Sequence, residues 1–210
     1  MNFLNLNIHF KKFQLKVLLL LIFLVLTSQQ FSKADDIKNF QIEGISIGDS
    51  LLKHFNKKEI LSNTIADYNS KTFVRFIPNI GSVKLETYDS INFHYKQGSE
   101  FEIYEISGGI IYNNHEKCKK KLYQVSNEIE SILDNFNKID RGTKPFYDVD
   151  SSGNSIVTSI VYEKKSIGYI WVACYDYSSE IENNYNWSDS LRISVNNTEF
   201  QNWLDGPAYE

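Results

Sequence analysis

Two hydrophobic periods run along this chain: alternation, which predicts strands, and three- and four-residue steps, which predict helix. Alternation marks Lys71–Ile77, and then Ile91, Phe93 and Tyr95 against Asn92 and His94. After a Gln97-Gly98-Ser99 turn it resumes over Phe101–Ile106, and Gly108-Gly109 is expected to interrupt it before Ile110–Tyr112. Val83–Tyr88 reads as a further strand. Ser155–Tyr162 and Gly168–Asp176 read as strands joined by a Lys164-Lys165-Ser166 turn, with Ile170, Val172 and Cys174 on one face. Leu191–Val195 is the last strand, and Phe200, Trp203 and Leu204 suggest a closing helical turn stopped by Gly206-Pro207.

The helical period is strongest after Asn113 and Glu116, a capping pair, where Cys118, Leu122, Val125, Ile129, Ile132, Leu133 and Phe136 recur on one stripe. The opening stretch Phe40–Ile60 predicts a short strand with a bulge at Gly44, a turn at Gly48, a cap at Asp49 or Ser50, and Leu51, Leu52 and Phe55 turned inward. Asn56 and Glu59 form a second cap ahead of Ile60 and Leu61. Asn137–Asn154 reads as a loop, and Ser178–Asn186 is polar and acidic. Strands in runs predict an α+β fold: an antiparallel sheet packed against one long amphipathic helix and a short N-terminal helical hairpin. Helix followed by strands occurs twice.

The N-terminal 34 residues change the picture of location. Lys11, Lys12 and Lys16 precede the apolar run Val17–Leu26, and Ser32-Lys33-Ala34 suits a signal peptidase. The run is ten residues long, and a membrane-spanning helix needs about 20. Residues 1–34 are therefore expected to be a cleaved signal peptide and residues 35–210 a single domain, periplasmic or secreted and not membrane-spanning. No cysteine follows the run to carry a lipid. Four of the 22 Lys and Arg and none of the 26 Asp and Glu precede residue 35, leaving 18 against 26, a net charge of −8. Such a balance disfavours nucleic acid as a partner. Cys118 and Cys174, an even count in an exported chain, are expected to form a disulfide.

Gly48-Asp49-Ser50-Leu51 resembles the signature of the hydrolases named for those letters. Members also need a C-terminal Asp-x-x-His, because the serine requires a base. The last histidine here is His115, so no catalytic set is complete. His115 and Cys118 lie one helical turn apart, and a Cys118 nucleophile competes with the disulfide. An envelope hydrolase using Ser50 or Cys118 is the alternative reading. Asp148, Asp150, Ser152 and Asn154 alternate as in the start of a calcium loop, with Gly153 at its sixth position, but position twelve is Ser159 rather than Glu. Tyr175, Tyr177, Tyr185 and Trp187 surround an acidic segment and form the first choice of binding surface. No phosphate loop or dinucleotide fingerprint is present, and no cofactor is expected.

The words EGISIGDSLL and YDSINFHYK, the cysteine-bearing helix and the late cysteine-bearing strand are similar to a family of short exported proteins from marine bacteria with compact, AT-rich genomes. That family has no assigned function, so the resemblance implies a location and a domain boundary and no active site. A looser resemblance is to small envelope lipoproteins with a helical hairpin ahead of an antiparallel sheet. The expected role is an exported, non-catalytic domain that binds a protein or envelope component.

Overall fold

The computed structural model describes residues 36–210; the segment read as a signal peptide lies outside them. One turn of 3-10 helix, Ile37–Asn39, leads into two short strands, β1 (Gln41–Ile42) and β2 (Ile45–Ser46). The stretch expected to be one bulged strand is thus a small hairpin. Glu43 and Gly44 both have positive φ, 51° and 76°, the backbone that a two-residue hairpin turn requires. A 3-10 turn at Leu51–Lys53 and helix α1 (Lys57–Ser62) follow. Leu51 and Phe55 are buried, but Leu52 is 46% exposed. In either kind of helix Leu52 stands about 100–120° round the axis from Leu51, off the face that Leu51 and Phe55 share.

The remaining strands are β3 (Thr64–Ile65), β4 (Phe73–Phe76), β5 (Ser90–Lys96), β6 (Ile103–Ile111), β7 (Asn137–Pro145), β8 (Ile156–Lys164), β9 (Gly168–Asp176) and β10 (Ser190–Asn197). They form an eight-stranded sheet in the order β3-β4-β5-β6-β10-β9-β8-β7, with every pairing antiparallel. Strands β3 to β6 make one meander and β7 to β10 a second, and the two join through their last strands. Each meander is preceded by helix, α1 for the first and α2 (His115–Ile132) for the second. The chain is α+β.

Alternation sends one set of side chains to each face. On the inner face Tyr162, Ile170, Val195, Ile106, Phe93 and Phe76 are direct neighbours across six strands, none more than 2% exposed. Helix α2 lies on this face through buried Cys118, Leu122, Ser126 and Ile129. Tyr162 Oη donates to the Ser126 carbonyl at 2.7 Å and accepts from Ser126 Oγ at 2.5 Å. Cys118 is bonded to Cys174 on β9. The cap of α2 is Asn114, which accepts from the Lys117 amide, one residue later than expected. The helix ends at Ile132, which leaves Ile132 itself 38% exposed.

Three further expectations change. Gly108-Gly109 does not break β6. The ring of Tyr88 lies 2.5 Å from where a Gly108 Cβ would stand, so glycine there admits the tyrosine onto the sheet. Val83–Tyr88 is not a strand; the Glu43 carboxylate accepts from the amides of Glu86, Thr87 and Tyr88 and takes up the donors a ladder would use. Asn137–Pro145, expected to be loop, is edge strand β7. Its polar residues suit an edge with little to bury, and Pro145 and a bulge at Arg141 discourage pairing with another chain. Ser179–Tyr185 is helix α3, and Thr198–Leu204 is helix α4. The latter packs on the outer face, where Phe200, Trp203 and Ala208 enclose Phe73. Among the described residues no helix is long and apolar enough to cross a membrane.

The disulfide closes a 56-residue separation between α2 and β9, worth roughly 4 kcal/mol as chain entropy. Urea unfolding with and without reductant should show a drop of about that size. An unmoved midpoint would mean that packing alone holds the helix.

Candidate binding surface

Strand β9 and the segment after it build the surface. Tyr175, on the outer side of β9, and Tyr177, just past the strand's end, have rings stacked 9° from parallel at 5.7 Å. Helix α3 then turns away and buries Ile181. It ends at Asn186, in the left-handed conformation that asparagine tolerates better than most residues. That reversal returns Trp187 to Tyr177 at 5.2 Å and sets Tyr185 against Trp187 at 5.2 Å. Phe146 adds to the other end, 5.6 Å from Tyr175. The four aromatics singled out from sequence therefore form one chain of contacting rings. It runs from Tyr177, 8% exposed, to Trp187 and Tyr185 at 40% and 57%.

Two carboxylates hold this chain from beneath. Asp189 Oδ1 accepts from the Tyr177 amide at 2.7 Å. Burial raises the Asp189 carboxyl above its ordinary range, and Asp176 and Glu182 add to that. Burial also pushes the Tyr177 phenol up. Asp150 is the centre of a larger knot. Its Oδ1 accepts from the Ser152 amide and hydroxyl, and its Oδ2 accepts from the Ser155 amide and hydroxyl and from Ser178 Oγ. Ser178 precedes α3, so its hydroxyl is spent on Asp150 rather than on capping the helix. The loop after β7, the start of β8 and the start of α3 are tied at one carboxylate, next to Tyr177.

This locates the calcium-type residues. Asp150 and Ser152 are bonded to each other, the Asn154 amide donates to Ser152 Oγ, and Asp148 is exposed. The knot takes the lone pairs of Asp150 that a cation would use. Among the described residues no group of three or more His, Cys, Asp or Glu is placed to hold a metal ion. The hydrolase residues are elsewhere. Cys118 is in the disulfide. Ser50 Oγ donates to the Glu100 carbonyl at 2.8 Å and accepts from the Leu52 amide at 3.3 Å. Gly48 and Leu51 donate to the carbonyls of Ile103 and Phe101, so the Gly-Asp-Ser-Leu turn docks on the start of β6. His115 Nε2 meets Thr158 Oγ1 at 3.0 Å on the helix side of the sheet.

Phe146 and the knot under Tyr177 escaped the sequence reading. A loop phenylalanine and scattered serines carry no periodic signal, and the one cue, the alternation of Asp148, Asp150, Ser152 and Asn154, reads as the start of a calcium loop or as a polar turn. Compared with known proteins, the chain matches no family model, no curated protein and no solved structure.

The hydrogen bonds from Ser152, Ser155 and Ser178 hold the Asp150 carboxyl well below the usual carboxylate range. A depressed folded value contributes stability present above the unfolded value of about 3.9 and lost as pH falls through the folded one. The stability gap between wild type and Asp150→Asn should therefore stay level from neutral pH to about pH 5 and narrow below about pH 4. Asp189, shifted the other way, is common to both proteins and cancels. Chemical denaturation across this range reads the gap, and a pH-independent gap would reject the ionic knot. Ser50→Ala should cost at most about 1 kcal/mol, the worth of a cap, in the same assay.

Proposed function

We propose that residues 35–210 are an exported, non-catalytic binding domain, periplasmic or secreted after loss of residues 1–34. Its surface of Tyr175, Tyr177, Tyr185 and Trp187 engages a protein or envelope component. The long amphipathic helix and the N-terminal helical hairpin serve as scaffold on the opposite side of the sheet.

The observation that carries the reading is the ring chain. Exposed aromatics are strong anchors when they are already ordered, because little side-chain entropy is left to lose on binding. Trp187 and Tyr185 are ordered by Tyr177, which Tyr175 and Asp189 hold in turn. The alternative, a hydrolase using Ser50 or Cys118, has less support: one side chain is a disulfide half and the other bonds backbone.

The double variant Tyr185→Ala, Trp187→Ala should keep the melting temperature and lose envelope-component binding by roughly thirtyfold, as expected for removal of a central anchor. Quantitative capture from solubilised envelope fractions compares the two. Equal capture by variant and wild type would reject the surface, and turnover by a solitary monomer would reject the class.

A further inference from the structure

The ring chain that begins on β9 continues into a segment with one sign of charge. Residues 176–190 carry four acids, Asp176, Glu180, Glu182 and Asp189, and no Lys or Arg. Burial, and then the neighbouring charges of Asp176 and Glu182, raise the Asp189 carboxyl, so three carboxylates share one field next to Tyr177. Among the described residues none of the four acids has a Lys or Arg within ion-pairing distance, and Asp176 has only His115 Nδ1, at 3.8 Å. Elsewhere in the domain Asp49, Asp67, Glu86, Glu116, Glu130 and Glu199 each meet a Lys or Arg. Arg192 stands two rings back from Trp187, its guanidinium carbon 5.4 Å from the centre of Tyr175.

The rings add to that field. Trp187 and Tyr185 form the exposed end of a run that reaches Phe146 through four successive ring contacts of 5.2–5.7 Å. The face of an aromatic ring carries partial negative charge, and tryptophan attracts a cation most strongly. Exposed rings beside carboxylates that have no lysine or arginine partner therefore favour a cation on two counts. Lysine and arginine suit both, since their apolar stems lie along rings while their heads meet carboxylates. A small free cation covers one ring. A run of five rings suits several stems in succession, carried by one segment of chain.

We propose that this surface binds a basic segment of a protein partner, whose lysine or arginine stems lie on Trp187 and Tyr185 and whose charged heads face the carboxylates of residues 176–190. The proposal rests on reading the ring chain as the binding surface and names the chemistry of its occupant. The two attractions respond differently to salt. Exposed charges are screened beyond about 10 Å at 0.1 M salt, whereas a stem packed on a ring stays in contact. Association should therefore weaken as salt rises without vanishing.

The test uses the intact, disulfide-bonded protein and a flexible peptide of alternating lysine and glycine, with glutamine and glutamate counterparts. The chain has three tryptophans, and nuclear magnetic resonance of their indole N–H groups reads the site. The lysine peptide should shift Trp187. It should leave Trp203, whose Nε1 donates to Ser70 Oγ at 3.1 Å, and Trp171, against Arg141, unmoved. The glutamine and glutamate peptides should shift none. Anisotropy of labelled peptide gives the affinities. Glu180→Gln with Glu182→Gln should weaken lysine-peptide binding severalfold at low salt and little at about 0.5 M salt. Trp187→Leu should weaken it roughly two- to fivefold at both, the worth of one exposed cation–ring contact. Near-ultraviolet circular dichroism checks that the variants stay folded. Equal binding of the lysine and glutamine peptides, or full low-salt binding by Glu180→Gln, Glu182→Gln, would overturn the proposal. So would lysine-peptide binding that leaves Trp187 unmoved. Shifts of Trp187 by a neutral glucan oligomer where the lysine peptide causes none would overturn the protein-segment assignment. Loss of envelope capture in Tyr185→Ala, Trp187→Ala while the wild type ignores the lysine peptide would keep the surface and defeat the basic segment alone. Unchanged capture in that variant, with Trp187 shifted by the lysine peptide, would reject the envelope role and support the basic ligand.

Discussion

The fold depends on one row of side chains: Tyr162, Ile170, Val195, Ile106, Phe93 and Phe76, in register across six strands and sealed from water. Each such residue contributes about 1.5–3 kcal/mol when buried. The row exists only if β6 pairs with β10, and those strands begin 87 positions apart, at Ile103 and Ser190. A slip of one residue in that pairing would turn half the core into solvent. Everything else in the domain is placed relative to this seam. Helix α2 lies over it on one side, and the outer face with its arginines lies on the other.

The two meanders that meet at the seam are specialised differently. In the first, the outer face is occupied by α4, and His94 and Glu105 are bonded at 2.7 Å beneath it. In the second, the outer face is layered with rings and guanidiniums, Arg141 against Trp171 and Arg192 against Tyr175. The aromatic chain from Phe146 to Tyr185 continues from the end of β9 through the segment after it. The disulfide is in the same half, beneath β9 on the other side of the sheet. A strand that carries the half-buried rings Trp171 and Tyr175 is thus fastened from behind.

Small polar knots complete this arrangement. Asp150 gathers Ser152, Ser155 and Ser178, Glu43 gathers three consecutive amides, and Asp189 holds the Tyr177 amide. Each knot satisfies backbone donors of a segment that belongs to no ladder. Each uses a charged acceptor, the stronger kind of hydrogen bond. The knot at Asp150 orders the loop beside the binding surface without demanding apolar bulk there, so the rings remain accessible.

Sequence alone determined the elements whose side chains are sorted by water: the alternation in β5, β8, β9 and β10, the stripe of α2, and the pairing of Cys118 with Cys174. It also located the four rings. Burial is periodic, and a period survives in one dimension. What it left to the tertiary structure are the features set by a neighbour distant in the chain. Gly108 looks like a break until Tyr88 is laid upon it. β7 looks like loop because an edge strand has one partner and little to bury. The role of Asp150 was decided by Ser178, 28 residues away. Arg141 and Arg192 had no meaning on their own strands, since the rings that hold them belong to the strand between. Strand order brought those groups together, and strand order was decided by which buried row closes best.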